Sequence, residues 1–175
     1  MEASPQPHEK EERTTGGGGN VDTIGHHYIV EASGCNPEVI SKVEEVEQIM
    51  VRAAEAARVQ VWSIAFHRFS PTGVSGVVVI SESHLSVHTW PEFGYVALDI
   101  YTCGQSARPE AAVEEALRAF QAKSVHITEV TRGIEEGDRI FYHSIVTWEE
   151  DLPGRSNGVQ ERGQQKKAKV RKRST

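Results

Sequence analysis

Two stretches of alternating character, 84–90 and 95–103, flank the four residues Pro91-Glu92-Phe93-Gly94. A period of two sends successive side chains to opposite faces of a strand, and proline with glycine in the gap marks a turn. The pair therefore reads as an antiparallel hairpin. In 95–103, Val96, Leu98 and Ile100 make one face, while Tyr95, Ala97, Asp99, Tyr101 and Cys103 make the other. The first face suits a hydrophobic core. The second is too mixed for a core and too aromatic for open solvent, so it predicts contact with another surface.

Further β-rich runs lie at 28–32, 61–69, 74–80, 125–130 and 140–148, with Ser70-Pro71-Thr72-Gly73 turning between the second and third. Asn36 reads as an N-cap and Pro37 as a first helical residue. Val39, Val43, Val46, Met50, Ala53 and Ala57 then recur at three or four and carry one helix to about Arg58. Pro109 opens a second helix with Ala112, Val113, Ala116, Leu117 and Phe120 on one side. The order β-α-β-β-β-β-α-β-β predicts an α+β two-layer sandwich. Its antiparallel or mixed β-sheet carries both helices on one face and dimerises through the other.

A chain of 175 residues suits one domain, and a net charge of −6 weighs against a nucleic-acid binder. Residues 1–22 are charged and then glycine-rich, and 151–175 are polar and basic, so both are expected to be disordered around a folded domain at 23–150. The basic cluster Lys166, Lys167, Lys169, Arg171, Lys172 and Arg173 reads as a solvated end. Cys35 and Cys103 have neither metal-ligand nor redox-pair spacing, which points to a reducing, cytoplasmic setting. No apolar run reaches membrane-spanning length, and no signal-peptide core is present.

Hydroxyl, carboxylate, imidazole and thiol, the groups of covalent and acid–base catalysis, concentrate in 80–92 and in Thr102-Cys103-Gly104. A serine hydrolase would show a Gly-x-Ser-x-Gly elbow, and none occurs. His84 and His88 have the spacing of two metal ligands on a helix, but on a strand four residues span about 13 Å, so no metal is expected.

The run SESHLSVHTWPEFGY followed by ALDIYTCG, with PEVISKVEEVEQIM and HRFSPTGVSGVVVI before it, resembles the prokaryotic S-adenosylmethionine decarboxylase proenzymes of the short, pyruvoyl-dependent, metal-independent type. The similarity runs from about Gly25 through Trp148; His26 departs from it, standing where arginine or lysine is expected. The resemblance implies self-cleavage between Glu82 and Ser83 into chains 1–82 and 83–175, with Ser83 becoming a covalent pyruvoyl group that binds substrate as a Schiff base. It places the processing base at His88, a supporting hydroxyl at Ser75 and the proton donor of decarboxylation at Cys103. It further implies adenine stacking on Phe69, ribose contacts from Glu92, a substrate contact from Glu82, and a product serving spermidine synthesis.

Three rivals are distinguishable. A pyruvoyl arginine or ornithine decarboxylase would share the cleavage and differ in the pocket. A regulatory homologue would lack Ser83, His88 or Cys103, and all three are present. A nucleic-acid binder would depend on the tail beyond Pro153.

If Trp90 faces Tyr95 across the hairpin, Ser83 falls opposite Thr102 with Cys103 one rung beyond. Their side chains then alternate to opposite faces, so a bulge or bend is expected. His88 lies five residues from Ser83, about 17 Å along a strand, whereas proton transfer needs about 3 Å. A homodimer with shared sites follows: Ser83 and Cys103 from one subunit, and Ser75, His88, Glu92 and Phe69 from the other. His84, Trp90, Tyr101 and Cys35 are expected to serve packing.

Overall fold

A computed structural model describes residues 23–81, 83–104, 106–136 and 140–152. The 1–22 extension, Glu82 and all of the C-terminal tail after Leu152 lie outside the described residues.

Seven strands form one sheet: β1 (Gly25–Ser33), β2 (Val61–Phe69), β3 (Gly73–Ile80), β4 (Ser83–Trp90), β5 (Tyr95–Cys103), β6 (Ser124–Glu136) and β7 (Ile140–Asp151). Their spatial order is β2-β3-β4-β5-β1-β6-β7. Every neighbouring pair runs antiparallel, so the sheet is not mixed. The first strand is wedged between β5 and β6, which come much later in the chain.

Three helices, α1 (Pro37–Ile40), α2 (Val43–Ala56) and α3 (Pro109–Ala119), pack on one face. Val46, Ile49, Met50 and Ala53 of α2 and Ala112, Val113, Ala116 and Leu117 of α3 are buried there. They meet Val30, Val78, Leu85, Val87, Val96, Leu98 and Ile100 from the sheet. The alternation along β5 is as expected, with Val96, Leu98 and Ile100 buried and their neighbours half-buried. No helix among the described residues is long and apolar enough to cross a membrane.

One helix was expected over 37–58, and two are found. Asn36 caps the first as anticipated, its side chain accepting from the Glu38 amide at 3.0 Å. The chain then breaks at Lys42, which is extended (φ −105°, ψ 120°). The Ile40 carbonyl accepts instead from the Thr89 hydroxyl at 2.7 Å. That hydroxyl also accepts from the Val74 amide at 2.9 Å, so one fully buried threonine joins α1, β3 and β4.

The other face carries His27, Ile29 and Glu31 of β1, Ser75, Val77 and Val79 of β3, His84, Ser86, His88 and Trp90 of β4, and the mixed set of β5. It is left partly open, with Ile29 and Val79 each 37% exposed. The polar residues singled out in the sequence gather on this face.

Candidate active site

The Trp90↔Tyr95 register deduced for the hairpin is present, and the β4–β5 ladder runs to His84↔Tyr101 without a shift. On its other side β4 pairs with β3 from Ser75↔His88 to Ile80↔Ser83, again without a shift. Only Ser81 and Glu82 separate the paired residues Ile80 and Ser83 in the sequence, and β4 begins at Ser83. Of the bulge or bend expected near Ser83, the β3–β4 ladder shows no shift up to Ser83, the β4–β5 ladder ends at His84, and Glu82 lies outside the described residues. Register shifts fall at Val61/Ser63 and Thr131/Ile134.

At one end of the open face, Cys103 pairs with Gly25 and His84 with Tyr101. A Cβ added at Gly25 would lie 2.7 Å from the Tyr101 ring, 2.9 Å from its hydroxyl oxygen and 2.9 Å from Cys103 Sγ. A bare α-carbon is therefore what lets the thiol and the phenol converge. Arg132 of β6 places its guanidinium carbon 4.7 Å from the Tyr101 ring centre. The rings of His27 and His84 lie 5.3 and 6.2 Å from it. Burial, and next the bond to Cys103, hold the Tyr101 phenol above its ordinary range.

At the other end, Ser75 Oγ lies 2.8 Å from His88 Nδ1. His88 is 6.3 Å from Trp90, which stacks on Tyr95 at 5.0 Å and meets Phe69 edge-on at 5.9 Å. The Phe69 ring lies over Gly73, where a Cβ would come within 2.2 Å of it. Glu92 is exposed in the short 3-10 turn Pro91–Phe93 and accepts from Thr72 Oγ1 at 3.3 Å. Tyr95 hydrogen-bonds Glu31; burial first, then that bond, pushes its phenol up to about 12.

Between the two clusters Asp99 accepts from Ser86 Oγ at 3.1 Å and lies 3.2 Å from His27 Nε2. The His27 bond, and after it the Ser86 bond, hold this carboxyl below its usual range. The two cysteines differ: Cys35 is 3% exposed, and burial pushes its thiol up to about 12, whereas Cys103 is partly open at the strand end.

Of the expected site residues, Ser75 and His88 are in contact, Phe69 and Glu92 lie on the same side of the sheet region, and Ser83 and Cys103 share the opposite end. Ser83 and His88 occupy one unbroken strand, so about 17 Å of extended chain separates them. Tyr101 and Arg132 join the cluster around Cys103, although the sequence offered only packing for the first and nothing for the second. Arg132 is brought there by its pairing with Gly25.

The family model for S-adenosylmethionine decarboxylase matches residues 26–133, a stretch that contains both clusters apart from Gly25. The chain belongs to the S-adenosylmethionine decarboxylase family. Among similar proteins of this family is the S-adenosylmethionine decarboxylase proenzyme of Thermococcus kodakarensis. It is 54% identical over 138 residues, covering 79% of this chain and 96% of that protein. The proenzyme of Pyrococcus horikoshii is 55% identical over 136 residues, 78% and 98% of the two chains. That of Moorella thermoacetica is 49% identical over 113 residues, 65% and 90%. The crystal structure of the adenosylmethionine decarboxylase from Aquifex aeolicus superposes with a TM-score of 0.62 at 31% identity, covering 67% of this chain and 97% of that one.

Proposed function

We propose that this chain is a proenzyme that cuts itself between Glu82 and Ser83 and then decarboxylates S-adenosylmethionine. The products are S-adenosylmethioninamine, an aminopropyl donor for spermidine synthesis, and carbon dioxide. What carries this reading is the Ser75–His88 pair, 2.8 Å apart on an open sheet face and far along the strand from Ser83. A base and a hydroxyl aligned on each other, without a scissile bond beside them, make half of a site.

The other half is Ser83 and Cys103. The Ser83 hydroxyl attacks the carbonyl of Glu82 and turns the peptide bond into an ester. Removal of the residue-83 α-proton then expels the Glu82 carboxylate and leaves dehydroalanine, which takes up water and releases ammonia to give pyruvoyl. The residues around this position fit such a group. The clearance over Gly25 brings a thiol and a phenol to the end of the sheet where Ser83 starts its strand. In the uncut hairpin, alternation turns the Ser83 side chain away from the Cys103 face; scission frees that strand end to turn toward it. When formed, the pyruvoyl carbonyl supplies the electron sink that carbanion chemistry needs.

A second copy laid on the open face supplies what one chain lacks. Its His88 takes the processing proton with Ser75 steadying the developing charge, its Phe69 stacks on adenine, and its Glu92 accepts from the ribose hydroxyls. Cys103 holds a proton at Sγ for the former α-carbon, and Glu82, as a new C-terminus, contacts substrate. Residues 23–150 constitute the working unit in this reading, inside a cytoplasmic homodimer.

Intact mass and gel analysis test the cut: wild-type protein resolves into chains 1–82 and 83–175, the second with a blocked N-terminus, and Ser83→Ala remains one chain. Carbon dioxide is released from S-adenosylmethionine and not from arginine or ornithine. Wild-type protein that stays whole while fully active overturns the proposal.

A further inference from the structure

We infer that Tyr101 is the positioning residue of the Cys103 thiol: its hydroxyl leans over the bare α-carbon of Gly25, meets Sγ there, and aims the proton that the thiol delivers. This rests on the reading above in which Cys103 is the proton donor.

Tyr101 and Cys103 are two apart on β5 and share a face, which alone leaves their α-carbons about 7 Å apart. The phenol leans along the strand toward Gly25 of β1. Its hydroxyl oxygen and Cys103 Sγ each lie 2.9 Å from the single point that a Gly25 Cβ would occupy. The ring is held from three strands. Arg132 of β6 covers it at 4.7 Å, His27 of β1 flanks it at 5.3 Å, and His84 of β4 meets it at a steep angle at 6.2 Å. Clamping from three strands holds the Tyr101 oxygen over the same bare α-carbon toward which the Cys103 thiol converges.

The chemistry that follows is simple. The Cys103 S–H bond breaks as the proton passes to the former α-carbon, and the electron pair stays on sulfur. The Tyr101 O–H then donates to that sulfur, and the Arg132 charge lies close by, until water returns a proton. Tyr101 must remain protonated to do this, and its raised ionisation, from burial and the contact with Cys103, keeps it a donor. The charged and titratable groups facing it are His27, His84, Arg132 and Cys103. Asp99 stands one position behind on the same face, tied to His27.

The test uses the processed full-length enzyme carrying Tyr101→Phe, which keeps the ring and removes the oxygen. Cleavage at Ser83 should proceed at the wild-type rate. The kcat should fall about tenfold or more, as for loss of part of an acid–base device, with KM within about twofold, the signature of an interaction used in turnover rather than in binding. The alkaline side of the kcat profile should change, because the Tyr101 hydroxyl, held above its ordinary range beside Cys103, is gone. Alkylation of Cys103 by iodoacetamide at fixed neutral pH should slow several-fold; Cys35, 3% exposed, does not compete. Gly25→Ala should reproduce these effects by displacing the phenol.

An unchanged alkylation rate in Tyr101→Phe overturns the contact, whatever the activity. An unchanged kcat and pH profile overturns its use in turnover. A fully active Cys103→Ala enzyme removes the reading beneath the inference, and the alkylation result still judges the contact on its own.

Discussion

Thr89 shows how much one residue can hold. Its hydroxyl donates to Ile40 and accepts from Val74 in a place with no solvent access. Thr89→Val keeps the shape and strands a carbonyl and an amide, each worth about 1–3 kcal/mol when buried without a partner. The urea midpoint of the uncut Ser83→Ala protein should drop accordingly, by the equivalent of about 2–6 kcal/mol. Individual roles were unevenly legible in the sequence. Ser83, His88 and Cys103 stand inside a motif, and the pairing of Ser75 with His88 follows once the β3–β4 register is known. Tyr101 carried no such mark, because its lean toward Gly25 is a matter of rotamer and of the space an absent side chain leaves. Arg132 had no signal either: its place depends on which strand β1 sits beside, and local pattern does not encode that.

Elements were read more faithfully than their junctions. All seven strands and the helix-bearing face follow from alternation and three-to-four periodicity, forces that act within a few residues. The division of the first helix does not, since periodicity continues across Lys42 while a tertiary bond from Thr89 takes the Ile40 carbonyl. The bulge or bend anticipated beside Ser83 falls where Glu82 lies outside the described residues; from Ser83 onward the β3–β4 ladder runs without a shift. The unshifted β3–β4 register is what sets Ser75 opposite His88. Ser75→Ala removes the hydroxyl bonded to Nδ1 without disturbing the ladder. A time course on gels should show cleavage slowed about tenfold or more, in the range of a lost acid–base helper, with the thermal transition unchanged.

At the scale of the whole molecule, the proposed homodimer would make the two clusters complements. If a second copy supplies His88, mixing two defective chains restores one good site. Protein bearing His88→Ala and protein bearing Ser83→Ala each stay uncut alone. Co-expressed, the His88→Ala chain should be cut, because it offers an intact Ser83 to the intact His88 of the other. Absence of cutting in verified mixed dimers would place both groups in one chain and refute the shared arrangement.

The slot that β1 occupies has a last consequence. A piece ending at the proposed cut after Glu82 would contain β1, β2 and β3, yet β1 is flanked by β5 and β6, which come after the cut, while β3 is zipped to β4. Halves severed at the proposed site would be interlaced, like fingers of two hands, and neither could leave without undoing three ladders. With the proposed cut, maturation would be a ratchet: the sheet assembles as one thread, the thread is snipped, and after denaturation two strangers would have to find each other by diffusion.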